Sequence, residues 1–326
     1  MNVDFDISVI IPLYNVQDYI EETLDSLVNQ DIQCRIECIL IDDCGNDNSV
    51  SIAESFINEY NGETDFLILS HEKNSGASAA RNTGIVNAKG TYIYFLDGDD
   101  KLLSDGLQKL WEMVQAHPDV DLVKGDFIIE ELSSQVLNKT FPLYTEDAKW
   151  IRTNMCNLSI PESACNCLVK RSIIIDNCLF FREGWIEEDT LWAFKIQRYI
   201  KSIAFCFRST YFYRTNSNSV MHTMDKEKAA KAYSLIFNEA YNDMLLSKIE
   251  RYELRYLEIM AERIYNAVGE KGLKSLCTNC NFIFNMLFRC DRELSHGNNR
   301  FVDAVLRGSR SLLRSLLCNK IIFSYR

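Results

Sequence analysis

Thr91-Tyr92-Ile93-Tyr94-Phe95-Leu96-Asp97-Gly98-Asp99-Asp100 is an apolar run that ends in carboxylates. Read as a strand, it sends alternate side chains to opposite faces, so Asp97 and Asp99 share one side and Gly98 leaves room for a ligand between them. Two close anions repel unless a cation lies against them. A divalent, oxygen-preferring ion such as Mn2+ or Mg2+ satisfies such a pair and keeps positions open for phosphate oxygens. A polar turn after a buried strand is the plainer account of the same residues, so the preceding chain has to decide.

Upstream, Ile7–Ile11 reads as a short buried strand that Pro12-Leu13-Tyr14-Asn15 ends, and Val16 to Asn29 takes up helical periodicity. Ile36 to Ile41 repeats the pattern, closes on Asp42-Asp43 and turns through Gly45–Ser49 into a helix over Val50 to Tyr60. A third strand covers Asp65 to Ser70, a loop Lys73 to Gly76, an alanine-rich helix Ala77 to Ala88, a fourth strand Tyr92 to Leu96, and a further helix Leu107 to Val114. This alternation predicts an α/β fold: a mostly parallel sheet flanked by helices on both faces. Ligands of such sheets bind beyond the carboxyl ends of the strands. Pro12 to Asn15, Asp42-Asp43, the loop before Arg81, and Asp97 to Asp100 all fall there, so one cleft gathers them. No G-x-G-x-x-G follows the first strand and no G-x-x-x-x-G-K-[ST] occurs, which disfavours a Rossmann dinucleotide site and a P-loop.

A chain of 326 residues, 47% hydrophobic and 25% charged, predicts a folded protein of two domains. Its net charge of -11 argues against nucleic acid as a partner, because a phosphate backbone is held by surplus Lys and Arg. A phosphate bound here is expected to arrive with a metal. No apolar run reaches the roughly 20 residues of a membrane span, and the acidic start from Met1 to Asp6 lacks a basic signal-peptide region, so a cytoplasmic location is expected. Of the 12 cysteines, Cys38, Cys167 and Cys206 lie in apolar runs as core residues do, which favours free thiols over disulfides. Cys277, Cys280, Cys290 and His296 have a spacing that in principle offers four zinc ligands, but a CxxC in a helical apolar segment is read as packing.

Ser8–Asn15 (SVIIPLYN), Ile41-Asp42-Asp43, Asn74–Gly84 (NSGASAARNTG) and Phe95–Asp100 (FLDGDD) together resemble the successive signatures of family 2 glycosyltransferases with a GT-A fold. Glu187-Glu188-Asp189-Thr190-Leu191-Trp192 is similar to that family's acidic base motif, and Tyr213–His222 resembles the segment that closes its catalytic domain. The likeness covers roughly residues 7 to 222. It implies a catalytic domain over 1–222, with a nucleotide-sugar half over about 1–100 and an acceptor half over about 101–222. A helical domain over 223–326 follows.

The resemblance implies transfer of a sugar from a nucleotide diphosphate donor to an acceptor hydroxyl with inversion, in assembly of a bacterial surface polysaccharide. Asp43, beside Asp42, matches the position that accepts the uracil N–H, which favours a UDP-sugar while leaving dTDP-sugars open. Tyr14 flanks the base, Pro12 shapes the pocket wall, and Arg81 contacts a carboxylate or the diphosphate. Asp97 and Asp99 of this DXD motif hold the metal, and His222 is a third ligand or a diphosphate contact, as a histidine after this segment is in some relatives. One base on the face opposite the leaving group is needed; Asp189 is the candidate and Glu188 the alternative, with Glu187 expected to be solvated. Helix capping is the competing role for this acidic turn. Trp185 is either an acceptor-sugar wall or core.

From about Asp225 the periodicity is helical, with helices expected near 226–247, 249–268, 271–290 and 298–318. Residues 297–326 hold six Lys or Arg against one Asp, +5, leaving -16 for the rest. The cationic amphipathic 298–318 suits an anionic bilayer, its own acidic domain or a homodimer seam. The first places the protein peripherally at the inner face of the membrane, near a lipid-linked saccharide acceptor. Two other functions share these features. A sugar-phosphate nucleotidyltransferase would carry a Gly-rich basic loop where Pro12 to Asn15 stand, and the intact set of Asp97, Asp99 and Asp189 counts against a non-catalytic sugar-nucleotide binding protein. The loop 130–165, where donor and acceptor specificity are expected, shows no readable pattern.

Overall fold

The computed structural model describes residues 5–130, 136–215, 224–245 and 250–276. His222, the Cys277–His296 set and the 298–318 helix therefore lie outside the described residues. The sheet begins with β1 (Ile7–Leu13), β2 (Ile36–Asp42), β3 (Asp65–Ser70) and β4 (Tyr92–Phe95), joined by helices α1 (Ile20–Val28), α2 (Ser49–Glu59) and α3 (Ala77–Asn87). These four strands are parallel, in the order β3-β2-β1-β4. Ile7, Val9, Ile10, Ile11 and Leu13 of β1 are buried, as are Cys38 to Ile41 of β2, because helices cover both faces.

After β4 come the short β5 (Lys101–Leu102), α4 (Gly106–Ala116), β6 (Leu122–Ile129), β7 (Tyr144–Thr145), α5 (Ala148–Cys156), β8 (Cys167–Lys170), α6 (Arg171–Asp176), α7 (Glu188–Ile196) and β9 (Ile203–Tyr213). Strand β8 runs antiparallel to both β4 and β6, so the expected parallel arrangement holds for the first four strands and gives way to a mixed sheet beyond β4. This junction is fastened by Asn166, fully buried just before β8. Its Oδ1 accepts from the hydroxyls of Thr210 at 2.7 Å and Tyr94 at 3.3 Å, and its Nδ2 donates to the Asp126 carbonyl at 2.9 Å.

Three local readings are corrected. Pro12 lies within β1, opposite Ile41. The β4 ladder has already ended at Ile10 opposite Phe95, so the imide nitrogen interrupts no pairing there. Helix α1 begins at Ile20 instead of Val16, because Asn15 takes a left-handed φ of 55° and residues 16–19 form a turn. In the unreadable 130–165 stretch, α5 is started by Asp147, whose carboxylate accepts from the amides of Lys149 and Trp150.

The C-terminal helices α8 (Lys226–Leu245) and α9 (Arg251–Leu276) agree with the helical periodicity, and Gly269, at φ 69°, breaks the second where that pattern pauses. They pack against α7 through a second apolar cluster that includes Leu191, Phe194, Ile236, Phe237, Tyr256 and Met260. Trp185 lies against this cluster. Cys38, Cys167 and Cys206 are buried free thiols.

Candidate active site

Strand β4 stops at Phe95, and Asp97 to Asp100 form a turn closed by the Asp100 amide on the Asp97 carbonyl at 3.1 Å. Strand alternation therefore does not set the relation of Asp97 to Asp99, contrary to the sequence expectation. Gly98 is corrected too. A Cβ there would lie 2.9 Å from the Pro12 carbonyl and 3.1 Å from Val16 Cγ2, so glycine is required by close packing on the end of β1.

The turn is held from three sides. Tyr211, at the end of β9, donates its hydroxyl to Asp100 Oδ2 at 2.7 Å and receives the Asp97 amide at 3.3 Å. Arg214 gives its amide to Asp100 Oδ1 at 2.8 Å and its Nε to the Asp99 carbonyl at 2.8 Å. Its guanidinium also pairs with Glu22 at 2.7 Å and lies over the Tyr19 ring. Thr23 sets its hydroxyl 2.7 Å from the Asp100 carbonyl. Burial, reinforced by Asp97 and Asp99, raises the Asp100 carboxyl to about 8. Asp100, Tyr211, Arg214 and Thr23 were not singled out from the sequence. Arg214 lies inside the quoted Tyr213–His222 segment, where an arginine after an apolar strand was the available signal.

Arg81 is on the covered face of α3 and almost fully buried. Its Nη2 donates to Asp97 Oδ1 at 2.8 Å and its Nη1 to Glu188 Oε1 at 2.6 Å, with Asp189 Oδ1 at 3.8 Å and the Phe181 ring beneath. Burial works against this charge, but Asp97, Asp189 and Glu188 outweigh it and hold Arg81 above the ordinary arginine value. One cation thus gathers carboxylates from the end of β4 and the start of α7.

Asp189 is the least satisfied of them. Its Oδ2 accepts the Ala164 amide at 3.1 Å, while Oδ1 is shielded from water and has no hydrogen-bond partner, although the side chain as a whole is 24% exposed. Burial pushes this carboxyl up to about 7, with Glu188 adding to the rise and Arg81 opposing it. Asp189 bonds to Ala164 and makes no capping hydrogen bond to its own helix, although it and Glu188 stand in the first turn of α7, where the helix dipole favours acidic groups. Glu187, expected to be solvated, is instead half-buried at a left-handed φ of 61° and accepts the Tyr233 hydroxyl at 3.0 Å.

Beyond the end of β1, Tyr14 is 45% exposed. Asp43 is only 2% exposed and already holds three donors: the Ser75 amide at 2.8 Å, the Gly76 amide at 2.7 Å and His71 Nδ1 at 2.7 Å. A carboxylate has about four lone-pair sites, which leaves one for a ligand. Its neighbour Asp42 is half-buried and takes the Cys44 amide on Oδ1 at 3.0 Å.

Among the described residues, no three His, Cys, Asp or Glu side chains gather to hold an ion unaided. Asp97, 31% exposed with one oxygen on Arg81, and Asp99 in the same turn form a hard oxygen donor set. It fits Mn2+ or Mg2+, ions that take one or two protein carboxylates and complete their shell with phosphate and water.

The parallel half-sheet with its strand-end carboxylates, continued by a mixed half that carries an acidic helix start, defines the GT-A fold. Two solved structures show the same architecture. TarS from S. aureus, in complex with UDP-GlcNAc, superposes with a TM-score of 0.64 at 22% identity, covering 80% of this chain and 73% of that one. The mannosyltransferase PcManGT from Pyrobaculum calidifontis, in complex with GDP-Man and Mn2+, gives 0.57 at 15% identity, covering 97% and 84%. The family model described as Glycosyl transferase family 2 matches residues 8–177, just over half of the chain, which belongs to that family. Its relatives include glycosyltransferase GlyG of Streptococcus pneumoniae, 28% identical over 76% of this chain and 84% of that protein. The minor teichoic acid biosynthesis protein GgaA of Bacillus subtilis is 27% identical over 78% of this chain, which spans 57% of its length. No helix among the described residues is long and apolar enough to cross a membrane.

Proposed function

We propose that this protein is an inverting, metal-dependent glycosyltransferase that moves a sugar from a UDP-sugar to a hydroxyl of a surface-polysaccharide precursor. The observation that carries this reading is the placement of Asp189: a partly exposed carboxylate at the start of α7, in a cluster that Arg81 ties to the Asp97 turn, with burial pushing its carboxyl up to about 7. Such a group takes a proton from an acceptor hydroxyl near neutral pH. Glu188, neutralised by Arg81, is the weaker candidate.

Tyr14 offers its exposed ring to the base, Pro12 forms the wall behind it, and the Asp42–Asp43 pair accepts the pyrimidine N–H. Asp97 and Asp99 would hold Mn2+ or Mg2+, which supplies charge neutralisation for the departing diphosphate. Arg81 keeps Asp97 and the base helix in one fixed relation. His222 remains a proposed third ligand. TarS, solved with UDP-GlcNAc, and GgaA, a minor teichoic acid biosynthesis protein, support UDP-GlcNAc as the first donor and teichoic acid or saccharide chains, free or lipid-linked, as the first acceptors to try. A panel of UDP- and dTDP-sugars with Mn2+ or Mg2+, read by nucleotide release, tests the proposal. Metal-dependent turnover lost in Asp99→Ala and Asp189→Asn, with UDP binding kept only in the second, is the expected result. Failure of both uridine and thymidine nucleotides to bind in the presence of metal overturns it.

A further inference from the structure

Two segments present Asp189: the start of α7, which carries it, and residues 162–164, whose Ala164 amide donates to its Oδ2 at 3.1 Å. Neither is anchored by the sheet alone. The C-terminal helices reach over and bind both. Tyr256, fully buried on α9, donates its hydroxyl to the Thr190 carbonyl at 2.8 Å, one residue past Asp189, and stacks its ring on Phe194 of α7 at 4.4 Å. Tyr233 of α8 donates to Glu187 Oε1 at 3.0 Å, two residues before Asp189, at the left-handed residue that turns the chain into the helix. Arg263 of α9 lies over the Tyr233 ring at 5.2 Å and donates to Glu162 Oε1 at 2.9 Å, two residues before Ala164.

These contacts form a bracket. Tyr233 and Arg263 touch each other, and one holds the Glu187 end while the other holds the Glu162 end. Side chains of α8 and α9 thereby add a hold on both segments to the one the sheet provides through Lys124 Nζ on the Ser163 carbonyl. Asp189 keeps one hydrogen bond, from Ala164, and its Oδ1 already lies 3.8 Å from Arg81 Nη1, so loss of the bracket loosens the Ala164 bond and lets Asp189 close further onto Arg81.

We propose that Tyr233, Arg263 and Tyr256 are positioning residues for Asp189, so that the C-terminal helices complete the catalytic apparatus from outside the sheet. This rests on the reading of Asp189 as the base. It makes the helical region part of the reaction and not an appendage to it.

The test uses the full chain with Tyr233→Phe, Arg263→Met and Arg263→Lys. Tyr233→Phe removes one oxygen and opens no cavity, and thermal melts confirm that each variant is folded. The first readout is amide hydrogen exchange, which needs no substrate. Exchange is expected to rise several-fold at 162–165 and 187–191 in Tyr233→Phe and Arg263→Met, to stay unchanged over 77–88, and to return toward wild type in Arg263→Lys. The second is a split between kcat and donor binding. With UDP-GlcNAc and Mn2+, kcat falls about ten- to a hundredfold, the cost of a misplaced catalytic group, while UDP affinity holds. Unchanged exchange at both segments overturns the proposal, and so does a fall in UDP affinity that matches the fall in kcat. If the wild type neither binds UDP nor releases it from any donor, the donor assignment has failed, and the exchange pattern still decides whether the helices hold this site.

Discussion

The guanidinium of Arg81 and the carboxylate of Glu188 meet at 2.6 Å although 107 residues separate them in the chain. The same cation holds Asp97 at 2.8 Å, so the two halves of the cleft are joined through one side chain. Removing it leaves three crowded carboxylates without a counter-charge. Arg81→Met is expected to cost on the order of 3–5 kcal/mol, the usual consequence of breaking a buried ion pair from one side. Arg81→Lys keeps the charge but cannot bond both carboxylates as a fork, and falls between the two. Urea denaturation of the three proteins measures this.

Asp189 sets a pH dependence whose sign is fixed by its environment. With the carboxyl raised to about 7, its base form predominates above that value. Turnover should rise roughly tenfold per pH unit on the acid side and level off above about 7. Glu188→Gln removes a like charge and moves the inflection to lower pH. Stability runs the other way. The folded pKa lies above the unfolded one, so this carboxyl favours the folded state most at acid pH, and that contribution is lost as pH rises through about 7. A pH–rate profile and a set of melts over the same range check both halves.

The Asp97–Asp100 turn predicts a separation between metal binding and turn integrity. Asp99→Ala should abolish the enhancement of UDP affinity by Mn2+ while leaving the fold intact. Arg214→Met removes the clasp on the Asp99 carbonyl and the pairing with Glu22, and should weaken the same enhancement without deleting a ligand. Calorimetric titration with UDP, with and without Mn2+, distinguishes the cases. UDP binding in Asp99→Ala that responds to Mn2+ as in wild type rules out the ligand role.

Asp42 and Asp43 should part company in the same assay. Asp43→Asn turns one acceptor oxygen into a donor facing amides or His71, and is expected to cost about 1–3 kcal/mol of stability. Asp42→Ala loses one bond to Cys44, costs less than about 1.5 kcal/mol, and should weaken UDP binding less than Asp43→Asn, which alters the acceptor assigned to the pyrimidine N–H.

The parallel half of the fold was legible because β1, β2 and β4 are continuous apolar runs closed by turn residues, and each run's end carries a motif residue. The likeness to family 2 enzymes pointed to Asp97, Asp189 and Arg81. The supporting contacts were hidden because they pair residues far apart in the chain: Tyr211 with Asp100, Arg214 with Glu22, Tyr233 with Glu187. Gly98 was misread since a glycine in a ligand cleft and a glycine packed on backbone look alike in sequence, and only the 2.9 Å approach to Pro12 separates them. Strand β8 is short, and its antiparallel entry depends on where a long connection returns, which local pattern does not encode.

That entry gives Asn166 a task of its own. Where β8 is inserted between β4 and β6, apolar side chains alone would tolerate a slip of the strand, since one buried aliphatic replaces another at little cost. The amide of Asn166 does not tolerate it. Only the native alignment offers it the Asp126 carbonyl together with the hydroxyls of Thr210 and Tyr94, and a shifted strand would strand those groups in the interior at about 1–3 kcal/mol each. The residue thus acts as a key cut for one lock, favouring the one alignment of the two half-sheets in which all three of its partners are met.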